Sequence, residues 1–424
     1  MPPLLAALAR AFLAGEPDVE QIVARASLTL GRSWRWLRPV ARRFTEAYQG
    51  QTRPRHRDVI QFLRGDPSFR RASKAQVEHW LSEPPRMQPV AAAEAWDLPA
   101  IETAPALGEW LAVKPDELDW FADLKAPRYS AEHYHYRILP KGRGAVRLIE
   151  APKLRLKELQ RRILTGILER VPIHSAAHGF VKGRSVGTFV AAHTGERVVL
   201  RMDLEDFFPS IPGVRIQALF RTMGYPEAVA DLLGGICTNA APVALWSGHQ
   251  PPRETRDLYV RPHLPQGSPS SPALANLCAY RVDCRLSGLA KSAGAGYTRY
   301  ADDLAFSGGH EFDKCVERFS IHAAAILMEE GFVVNHRKTR VMHQGVRQYL
   351  AGLAVNQGAN VIRPDFDRLK AILTNCVRLG AASQNRENHP RFREHLHGRV
   401  AFVESVNAEK GKRLRAIFDR IQWN

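Results

Sequence analysis

Apolar and polar positions alternate along the stretch 297–307 (YTRYADDLAFS), and the alternation is interrupted at Asp302 and Asp303. Alternation with a period of two predicts β-strands, whereas aspartate is disfavoured in strands and favoured in turns. The pattern therefore predicts a hairpin with both carboxylates at its tip. Adjacent like charges destabilise a fold unless a cation neutralises them, and carboxylate oxygens suit a hard divalent ion such as Mg²⁺. Taken alone, a solvated acidic turn is the commoner explanation for such a pair.

A third acid follows a second predicted strand. The apolar run 198–200 (VVL) leads into Asp203, at the start of the stretch DLEDFFPSI. Two such strands lying side by side would bring Asp203 to the same point as the two adjacent acids of the hairpin. The nearby acids Glu205 and Asp206 are interpreted as charged neighbours of that point.

A turn rich in glycine, serine and proline lies between the two acidic stretches. The sequence LPQGSPSSPALANL at 264–277 predicts a turn that opens a helix of small residues. Small side chains let a base pair and a nucleotide approach the backbone closely, and Gln266 and Ser268 add hydrogen-bond donors. A plain N-capped core helix is the alternative explanation.

Other patterns outline a helical N-terminal part, a basic hairpin and a helical C-terminal part. Residues 1–92 are helix-rich, and aromatic and arginine residues interleave at 31–48, where they would contact nucleic acid or form a packed helix with a solvated basic side. Alternating runs at 133–140 and 145–150 predict two strands joined by the basic loop 141–144, which would bind an anion or be solvated. Further predicted elements are a helix at 154–171, strands within 348–356 and amphipathic helices at 366–379 and 410–421.

Composition indicates the class of partner. The 424 residues contain 60 Lys and Arg against 43 Asp and Glu, a formal net charge of +17. This surplus favours a polyanion, nucleic acid first, although membrane-surface and ribosomal proteins share it. The five cysteines are scattered without CxxC spacing, which favours a reducing cytoplasm and argues against structural zinc. We expect no signal peptide, because no basic side chain precedes the apolar N-terminal run, and no membrane-spanning stretch.

Together these parts match the needs of nucleotidyl transfer. In the two-metal mechanism, carboxylates hold two divalent ions about 4 Å apart, one beside the attacking 3′ oxygen and one beside the leaving pyrophosphate. Lysine and arginine side chains neutralise the triphosphate as charge spreads in the transition state. The sequence supplies both the acids and the basic groups.

This series of motifs resembles the reverse transcriptases, from about residue 95 to the C-terminus. The stretch YADD at 300–303 looks like the signature hairpin of that family, Asp203 like its first palm carboxylate, and LPQGSP at 264–269 like its nucleotide-pocket motif. The resemblance implies a right-hand polymerase of the α+β class that uses dNTPs and two Mg²⁺ ions. Asp203, Asp302 and Asp303 would be its catalytic metal ligands, with Asp203 and Asp302 making the more direct contacts.

The resemblance also implies which side chains bind the nucleotide. They are Lys141, Arg147, Phe208, Gln266 and Ser268. Lys141 and Arg147 would grip the triphosphate, and Lys338 would act catalytically by approaching the leaving pyrophosphate. Phe208 matches a bulky aromatic that would collide with a ribose 2′-OH, which implies synthesis of DNA.

Within that family the chain is most similar to bacterial retron reverse transcriptases, which copy part of a structured noncoding RNA into DNA that stays joined to the RNA. The similarity lies in the stretches 203–211 and 178–186 and in a compact C-terminal thumb with no appended nuclease domain. Two family elements associated with recognising the cognate RNA are reduced, Asn-Ala-x-x-His to His193 and Val-Thr-Gly to Gly352. The implied contacts to nucleic acid are Lys182, Arg184, His193 and Gly352.

We therefore expect a helical N-terminal extension, fingers, a palm with an antiparallel sheet, and a helical thumb. The expected boundaries are 1–92, 93–197, 198–356 with finger insertions, and 357–424. The expected activity is retron-type RNA-directed DNA synthesis, primed from an RNA 2′-OH, in a cytoplasmic complex with the noncoding RNA, the RNA–DNA duplex and an effector or toxin protein for phage defence. The alternatives are another bacterial reverse transcriptase (group II intron, diversity-generating or abortive-infection type) and a non-catalytic RNA-binding scaffold.

Overall fold

The structure is a computed structural model that describes residues 2–15, 17–49, 54–69, 75–81, 86–124, 132–140, 146–247 and 252–423. The chain forms two compact units. One comprises Met1–Leu124 and Gln217–Gly234, and the other comprises Lys125–Ile216 and Gly235–Asn424. Within the described ranges, no helix is both long enough and apolar enough to cross a membrane.

The N-terminal unit is built from helices. They are α1 (Pro2–Leu13), α2 (Val19–Thr29), α3 (Leu37–Tyr48), α4 (His56–Gly65), α5 (Ala104–Leu111) and α6 (Pro115–Ala122), with a 3₁₀ helix at Ala91–Trp96. Apolar side chains at helical spacing, among them Leu8, Phe12 and Phe44, form its core. Trp34 and Trp36 pack against this core, which favours the packed-helix explanation for the stretch of interleaved aromatic and basic residues.

This unit continues beyond the predicted boundary at residue 92 and takes up residues 217–234. Hydrogen bonds from Gln88 N to Gly224 O (2.8 Å) and from Arg55 Nη2 to Gln217 Oε1 (3.0 Å) join this segment to the first part of the unit. Such long-range contacts leave no mark on the local composition from which the boundary was predicted. The four-part division of the chain stays a prediction.

The second unit is built on an antiparallel sheet. Its strands are β1 (Tyr134–Pro140), β2 (Val146–Pro152), β3 (Val198–Glu205), β4 (Ala295–Tyr300), β5 (Asp303–Gly308), β6 (Val333–Val334), β7 (Arg340–His343), β8 (Tyr349–Leu350), β9 (Leu353–Ala354) and β10 (Asn360–Val361). The main sheet has the order β4–β5–β3–β6, and β7 also pairs with β3. β1 and β2 form a separate hairpin, and β8, β9 and β10 form a small sheet. The predicted α+β class is confirmed.

The remaining helices follow in chain order. They are α7 (Leu154–Gly166), α8 (Val186–Ala191), α9 (Gly213–Thr222), α10 (Glu227–Cys237), α11 (Arg253–Val260), α12 (Ser271–Cys278), α13 (Tyr280–Ser292), α14 (His310–Glu329), α15 (Arg363–Leu379), α16 (Phe392–Val406) and α17 (Ala408–Phe418). Short 3₁₀ helices lie at Leu168–Arg170, Val243–Trp246 and Ala381–Ser383. The helix predicted at 154–171 is shorter than expected, because Ile167 leaves helical geometry and a 3₁₀ turn follows it.

The C-terminal helices α15, α16 and α17 share one apolar core with the hairpin β8–β9. Leu350 and Leu353 from the hairpin and Leu369, Leu396 and Leu414 from the helices are buried in it. The predicted amphipathic helices correspond to α15 and α17. α16 was not predicted, although its buried residues Leu396, Val400 and Val403 recur at helical spacing.

A fully buried ion pair joins β4 to α13. Arg299 and Asp283 are both 0% exposed, and the guanidinium donates two hydrogen bonds to the carboxylate at 2.7 and 2.8 Å. The Tyr297 hydroxyl donates to the same carboxylate (2.8 Å), while Arg299 also donates to Asn276 Oδ1 (3.1 Å) and Ala301 O (3.2 Å). Buried charges are tolerated when they are paired and hydrogen bonded. The pair therefore ties β4 to α12 and α13 and holds the turn that follows β4.

Removing one partner of this pair should be strongly destabilising. Asp283→Ala leaves the Arg299 guanidinium buried without its carboxylate, and we expect the free energy of unfolding to fall by about 3–5 kcal/mol in urea denaturation. The control, Glu311→Ala, removes an exposed partner of Lys314 and should change stability by less than about 1 kcal/mol. Equal losses in the two variants would contradict the role given to the buried pair.

Candidate active site

Two neighbouring strands bring the predicted carboxylates together. β3 and β5 are antiparallel partners, and their register places Asp203 opposite Asp303. The Leu204 N–H donates to the Asp302 carbonyl at 3.0 Å, which fixes the turn between β4 and β5 against the end of β3. Side chains opposite one another in an antiparallel pair lie on the same face of the sheet. Acids that are distant along the chain are therefore neighbours in space.

Asp203 is paired with Lys338. The aspartate is 3% exposed, and Lys338 Nζ lies 2.9 and 3.0 Å from its two carboxylate oxygens. Lys338 belongs to the loop between β6 and β7, which is fixed against β3 by a hydrogen bond from Asn335 N to Asp203 O (2.7 Å). The lysine side chain is 55% exposed. The ammonium group therefore lies between a buried acid and solvent.

Asp303 is paired with Arg201, a residue that the sequence interpretation did not single out. Nε and Nη2 of Arg201 donate to Asp303 Oδ1 at 2.9 and 2.6 Å. The guanidinium also lies 5.9 Å from the centroid of the Tyr349 ring, in β8. Arg201 is two residues before Asp203 on β3, so the two side chains share one face of the strand. That spacing was the signal that could have identified it.

The acids are crowded enough to perturb Asp302. Burial raises the pKa of its carboxyl, and the charges of Asp203 and Asp303 raise it further, while its own backbone amide and Lys338 oppose the change. A set of carboxylate oxygens with excess negative charge fits a hard divalent cation. Asp203 and Asp303 are turned toward Lys338 and Arg201, and among the described residues no three His, Cys, Asp or Glu side chains are grouped closely enough to hold a metal. The metal-binding role of the three acids stays a prediction.

The turn between β4 and β5 is supported by a close backbone contact. Ala301 has a φ of 55°, which residues other than glycine rarely adopt. Gly179 packs against it so closely that a Cβ on Gly179 would lie 2.6 Å from Ala301 N. The segment containing Gly179 runs beside β4, with hydrogen bonds from Arg299 N to Ala176 O (2.8 Å) and from His178 N to Arg299 O (2.7 Å). Glycine is needed at this contact, and the segment supports the acidic turn.

The predicted nucleotide-pocket loop lies against β2. The Glu150 N–H donates to Gln266 O (2.9 Å), and the Gln266 side chain is half-buried. Gly267, with a φ of 137°, approaches Glu150 so closely that a Cβ would lie 2.7 Å from Glu150 O. Ser268 is 4% exposed, and its hydroxyl donates to Gln160 Oε1 at 2.8 Å. The hydroxyl of Ser268 is therefore directed into the protein interior, and its contact with substrate stays a prediction.

An aromatic cluster lies next to the acidic turn. The ring of Phe208, which is half-buried, lies 6.1 Å from the ring of Phe180, and Phe180 lies 6.4 Å from Tyr300. Phe180 has a φ of 61° and is 52% exposed. Residues held in sparsely populated backbone conformations cluster at functional sites. Phe180 was not singled out from the sequence, because a positive φ leaves no local signal at phenylalanine.

The two predicted triphosphate contacts are Arg147 and Lys141. Arg147 is exposed on β2, opposite Leu139 in the hairpin register. Lys141 lies outside the described residues. The role of both in binding the triphosphate stays a prediction.

Three of the predicted nucleic-acid contacts lie at or near the surface. Lys182 is exposed, and Gly352 is exposed in the two-residue turn between β8 and β9, where its φ is 82°. Arg184 is half-buried and donates to the carbonyls of Ser175 and Ala177. Its guanidinium therefore stabilises its own segment, whereas Lys182 and the Gly352 turn are accessible to a ligand.

His193, the fourth predicted contact with nucleic acid, is held inside the protein. It is 0% exposed, and its two ring nitrogens each lie 2.7 Å from a hydroxyl oxygen, Ser307 Oγ and Thr298 Oγ1. Burial lowers the pKa of the imidazole to about 4, and the nearby His178 contributes. The chain after α8 carries this ring into the core, where it joins β4 to β5. The contact of His193 with RNA stays a prediction.

Comparison of the sequence with known proteins assigns the chain to a family. The family described as "Reverse transcriptase (RNA-dependent DNA polymerase)" matches residues 139–401. The retron Mx65 reverse transcriptase of Myxococcus xanthus is 42% identical over 295 residues, 69% of this chain and 65% of that protein. The retron Ec86 reverse transcriptase of Escherichia coli is 30% identical over 299 residues, 69% of this chain and 83% of that protein. The chain thus spans slightly less than two thirds of the length of the Mx65 relative.

The family match and the α+β fold define a reverse transcriptase. More narrowly, the chain belongs to the retron reverse transcriptases, so the predicted family is confirmed. Among solved structures, a foamy viral protease-reverse transcriptase in complex with an RNA/DNA hybrid is 16% identical with a TM-score of 0.37, covering 69% of this chain and 31% of that chain. The sequence matches, and not this superposition, carry the assignment.

The buried His193 should make the protein less stable in acid. The unfolded chain takes up a proton at this residue near pH 6.5, whereas the folded chain does so only near pH 4, so the unfolded state binds more protons between these values. Stability should therefore fall as pH decreases from 6.5 to 4, by up to about 3 kcal/mol from this residue. Urea denaturation at several pH values measures the slope.

The control for this prediction is His193→Gln, which keeps polar contacts in the core but does not titrate. Its stability should depend less steeply on pH over the same range. The pKa values of His174 and His178 are also lowered by burial, so they contribute equally in both proteins and cancel in the comparison. Identical slopes for the variant and the wild type would refute the assignment to His193.

Proposed function

We propose that this protein is an RNA-directed DNA polymerase that extends a DNA 3′ end, or an RNA 2′-OH at initiation, on a noncoding RNA template. The observation that carries the proposal is the β3–β5 register, which sets Asp203 opposite Asp303 and beside Asp302 in a chain of the reverse transcriptase family. Phosphoryl transfer depends on positioning and on neutralising charge, for which acids gathered on one sheet face are suited.

The three acids would hold two Mg²⁺ ions. When bound, these ions lower the pKa of the attacking hydroxyl and neutralise the charge that develops on the pyrophosphate. For Asp203 to bind an ion, its contact with the Lys338 ammonium would have to break. The contact between Arg201 and Asp303 would remain and would hold the Asp303 carboxylate in place. The ammonium of Lys338, once released, would face the leaving pyrophosphate and stabilise its negative charge.

The incoming dNTP would bind where the β1–β2 hairpin meets the Gln266 loop. Arg147, and by family resemblance Lys141, would bind the triphosphate, while the half-buried Gln266 would line the nucleotide. The Phe208 ring would exclude a 2′-OH, a role supported by its place in the aromatic cluster with Phe180 next to the acidic turn. The site would therefore prefer dNTPs to ribonucleotides.

The RNA and the RNA–DNA duplex would contact the thumb helices α15 to α17. The exposed basic side chains of these helices include Arg363, Arg368, Lys370, Arg378, Arg393, Lys412 and Arg413. Basic groups of this kind suit recognition of RNA through its shape and backbone. Lys182 and the Gly352 turn would add contacts. The relatives are named as retron reverse transcriptases. Our proposal extends to retron-type priming, a cytoplasmic complex, and a role in phage defence with an effector or toxin protein.

Loss of the hairpin acids should abolish DNA synthesis while leaving RNA binding intact. In Asp302→Asn/Asp303→Asn the amides keep the shape of the turn but cannot neutralise divalent cations. We expect dNTP incorporation on an RNA template with a DNA primer to fall by at least about 10³-fold. Primer extension by the purified protein measures this.

The control for that experiment is Asp313→Asn, which removes a surface acid paired with Arg197 and should leave incorporation unchanged. Equal incorporation by the wild type and the double variant would exclude the acids from catalysis. A wild-type protein that binds RNA but incorporates nothing would instead be the non-catalytic scaffold.

Truncating Phe208 should relax sugar selectivity. Phe208→Ala opens space for a 2′-OH, so the preference for dNTPs over ribonucleotides should fall by about tenfold or more. Single-nucleotide incorporation with each kind of substrate gives the ratio of kcat/KM values. Phe208→Tyr keeps the ring and should keep the preference. Unchanged selectivity in Phe208→Ala would rule out the proposed role.

A further inference from the structure

A buried hydrogen-bonded pair, Glu150 and His263, lies outside the group of acids. Glu150 on β2 is 0% exposed and His263, just before the Gln266 loop, is 1% exposed. His263 Nε2 lies 2.8 Å from Glu150 Oε2, and Asn239 Nδ2 donates to Glu150 Oε1 at 2.7 Å. Asn239 Nδ2 also donates to the Tyr136 hydroxyl at 3.1 Å. Both carboxylate oxygens of Glu150 are therefore satisfied inside the protein.

The surroundings of His263 show how the pair is held. Its Nδ1 lies 2.8 Å from Arg261 O, and a carbonyl oxygen can only accept, so Nδ1 carries a proton and donates. The other ring nitrogen faces a carboxylate, so a proton is held between Nε2 and Glu150. The ring also packs edge-on against Tyr259, with centroids 5.3 Å apart. The imidazole is thus fixed on three sides.

The pair joins two backbone segments that bound the nucleotide-pocket loop. Glu150 contributes its N–H to Gln266 O at 2.9 Å, and its carbonyl is the atom that Gly267 approaches. His263 exchanges backbone hydrogen bonds with Asn239 at 2.9 and 3.0 Å. The next residue, Leu264, donates its N–H to the carbonyl of Ile211 (3.0 Å), which lies in the stretch that follows Asp203. Glu150 lies on β2, and His263 directly precedes the first residue of the loop.

A second anchor holds the other end of the same loop. Ser268 donates to Gln160 Oε1 at 2.8 Å, and Gln160 Nε2 donates to Tyr134 OH and Ile236 O, each at 2.9 Å. Gln160 is 0% exposed. Gln266 lies between the two anchors and is the half-buried member of the loop. The loop is therefore fixed at both ends by buried polar contacts.

We propose that Glu150 and His263 are positioning residues that fix Gln266 against β2 and thereby set the affinity for the incoming nucleotide. The inference rests on the proposed function, in which Gln266 lines the nucleotide. A binding group held in advance loses little freedom when the ligand arrives, and small displacements of such a group weaken binding strongly. Breaking the pair should weaken nucleotide binding more than it slows the chemical step.

The experiment measures binding of the next dNTP to a complex that cannot react. The wild-type protein is bound to an RNA template and a DNA primer ended in a dideoxynucleotide, with Mg²⁺, and the dissociation constant of the complementary dNTP is measured. Glu150→Ala removes both contacts of the carboxylate, and the dissociation constant should rise by about tenfold or more. Glu150→Gln can still accept from Asn239 and donate to His263, so it should stay within about threefold of wild type.

Two further variants separate positioning from stability. His263→Phe keeps a ring against Tyr259 but loses both polar contacts, and should weaken dNTP binding as Glu150→Ala does, which tests the proposal if Glu150→Ala does not fold. Glu330→Ala removes a carboxylate that pairs with Arg281 and Arg285 on α13, and should lower stability without changing dNTP binding. Reversible unfolding raises an apparent dissociation constant by the reciprocal of the folded fraction, so the folded fraction of each variant is measured and the dissociation constants are compared after this correction.

Each outcome decides the matter. Weaker dNTP binding in Glu150→Ala or His263→Phe, with recovery in Glu150→Gln, supports the proposal. Unchanged binding in both disruptive variants, while the wild type binds dNTP, overturns the inference and leaves the proposed function standing. A wild type that binds no dNTP on the primed template overturns the proposed function, and the inference with it.

Discussion

Negative charge concentrated where β3 meets the β4–β5 turn is the constraint on which the rest of the structure depends. Like charges on neighbouring side chains repel, so the acids of this site need compensation. Lys338 supplies it for Asp203 and Arg201 for Asp303, while Asp302 is the acid whose pKa is raised. The two pairs differ in exposure, since the side chain of Lys338 is 55% exposed and that of Arg201 only 19%.

Buried polar pairs recur behind the loops that bear the candidate site. Arg299 and Asp283 hold the acidic turn through its Ala301 carbonyl, and Glu150 and His263 hold the nucleotide-pocket loop. A buried ion pair such as Arg299–Asp283 contributes little net stability compared with apolar packing, because desolvating two charges costs about what their attraction returns. The contribution of these pairs is to fix the conformation of the attached loop, since each polar side chain has one arrangement of partners that satisfies its hydrogen bonds. Both pairs fix loops whose backbone conformations are uncommon, at Ala301 and at Gly267.

The sequence allowed the acidic hairpin, the sheet and most C-terminal helices to be predicted, because these follow from periodicity and from the turn preference of aspartate. It did not reveal the internal contacts of Ser268 and His193, two polar residues within motifs whose side chains point inward. The direction of a side chain in a loop depends on contacts with distant strands. Partners such as Arg201 and His263 were missed for the same reason, since an ion pair across the chain leaves no mark on either local pattern.

The basic surplus of the chain serves two purposes that composition alone does not separate. Arg201, Arg299 and Lys338 neutralise acids of the protein itself, and Arg184 donates to backbone carbonyls of its own segment. Cations paired with acids cancel in the formal count, so the net charge of +17 is the surplus of cations over acids in the whole chain. This surplus favours a polyanionic partner through the cations that lie at the surface. The exposed lysines and arginines of α15 to α17 meet that condition, and they lie in the same compact unit as the acids.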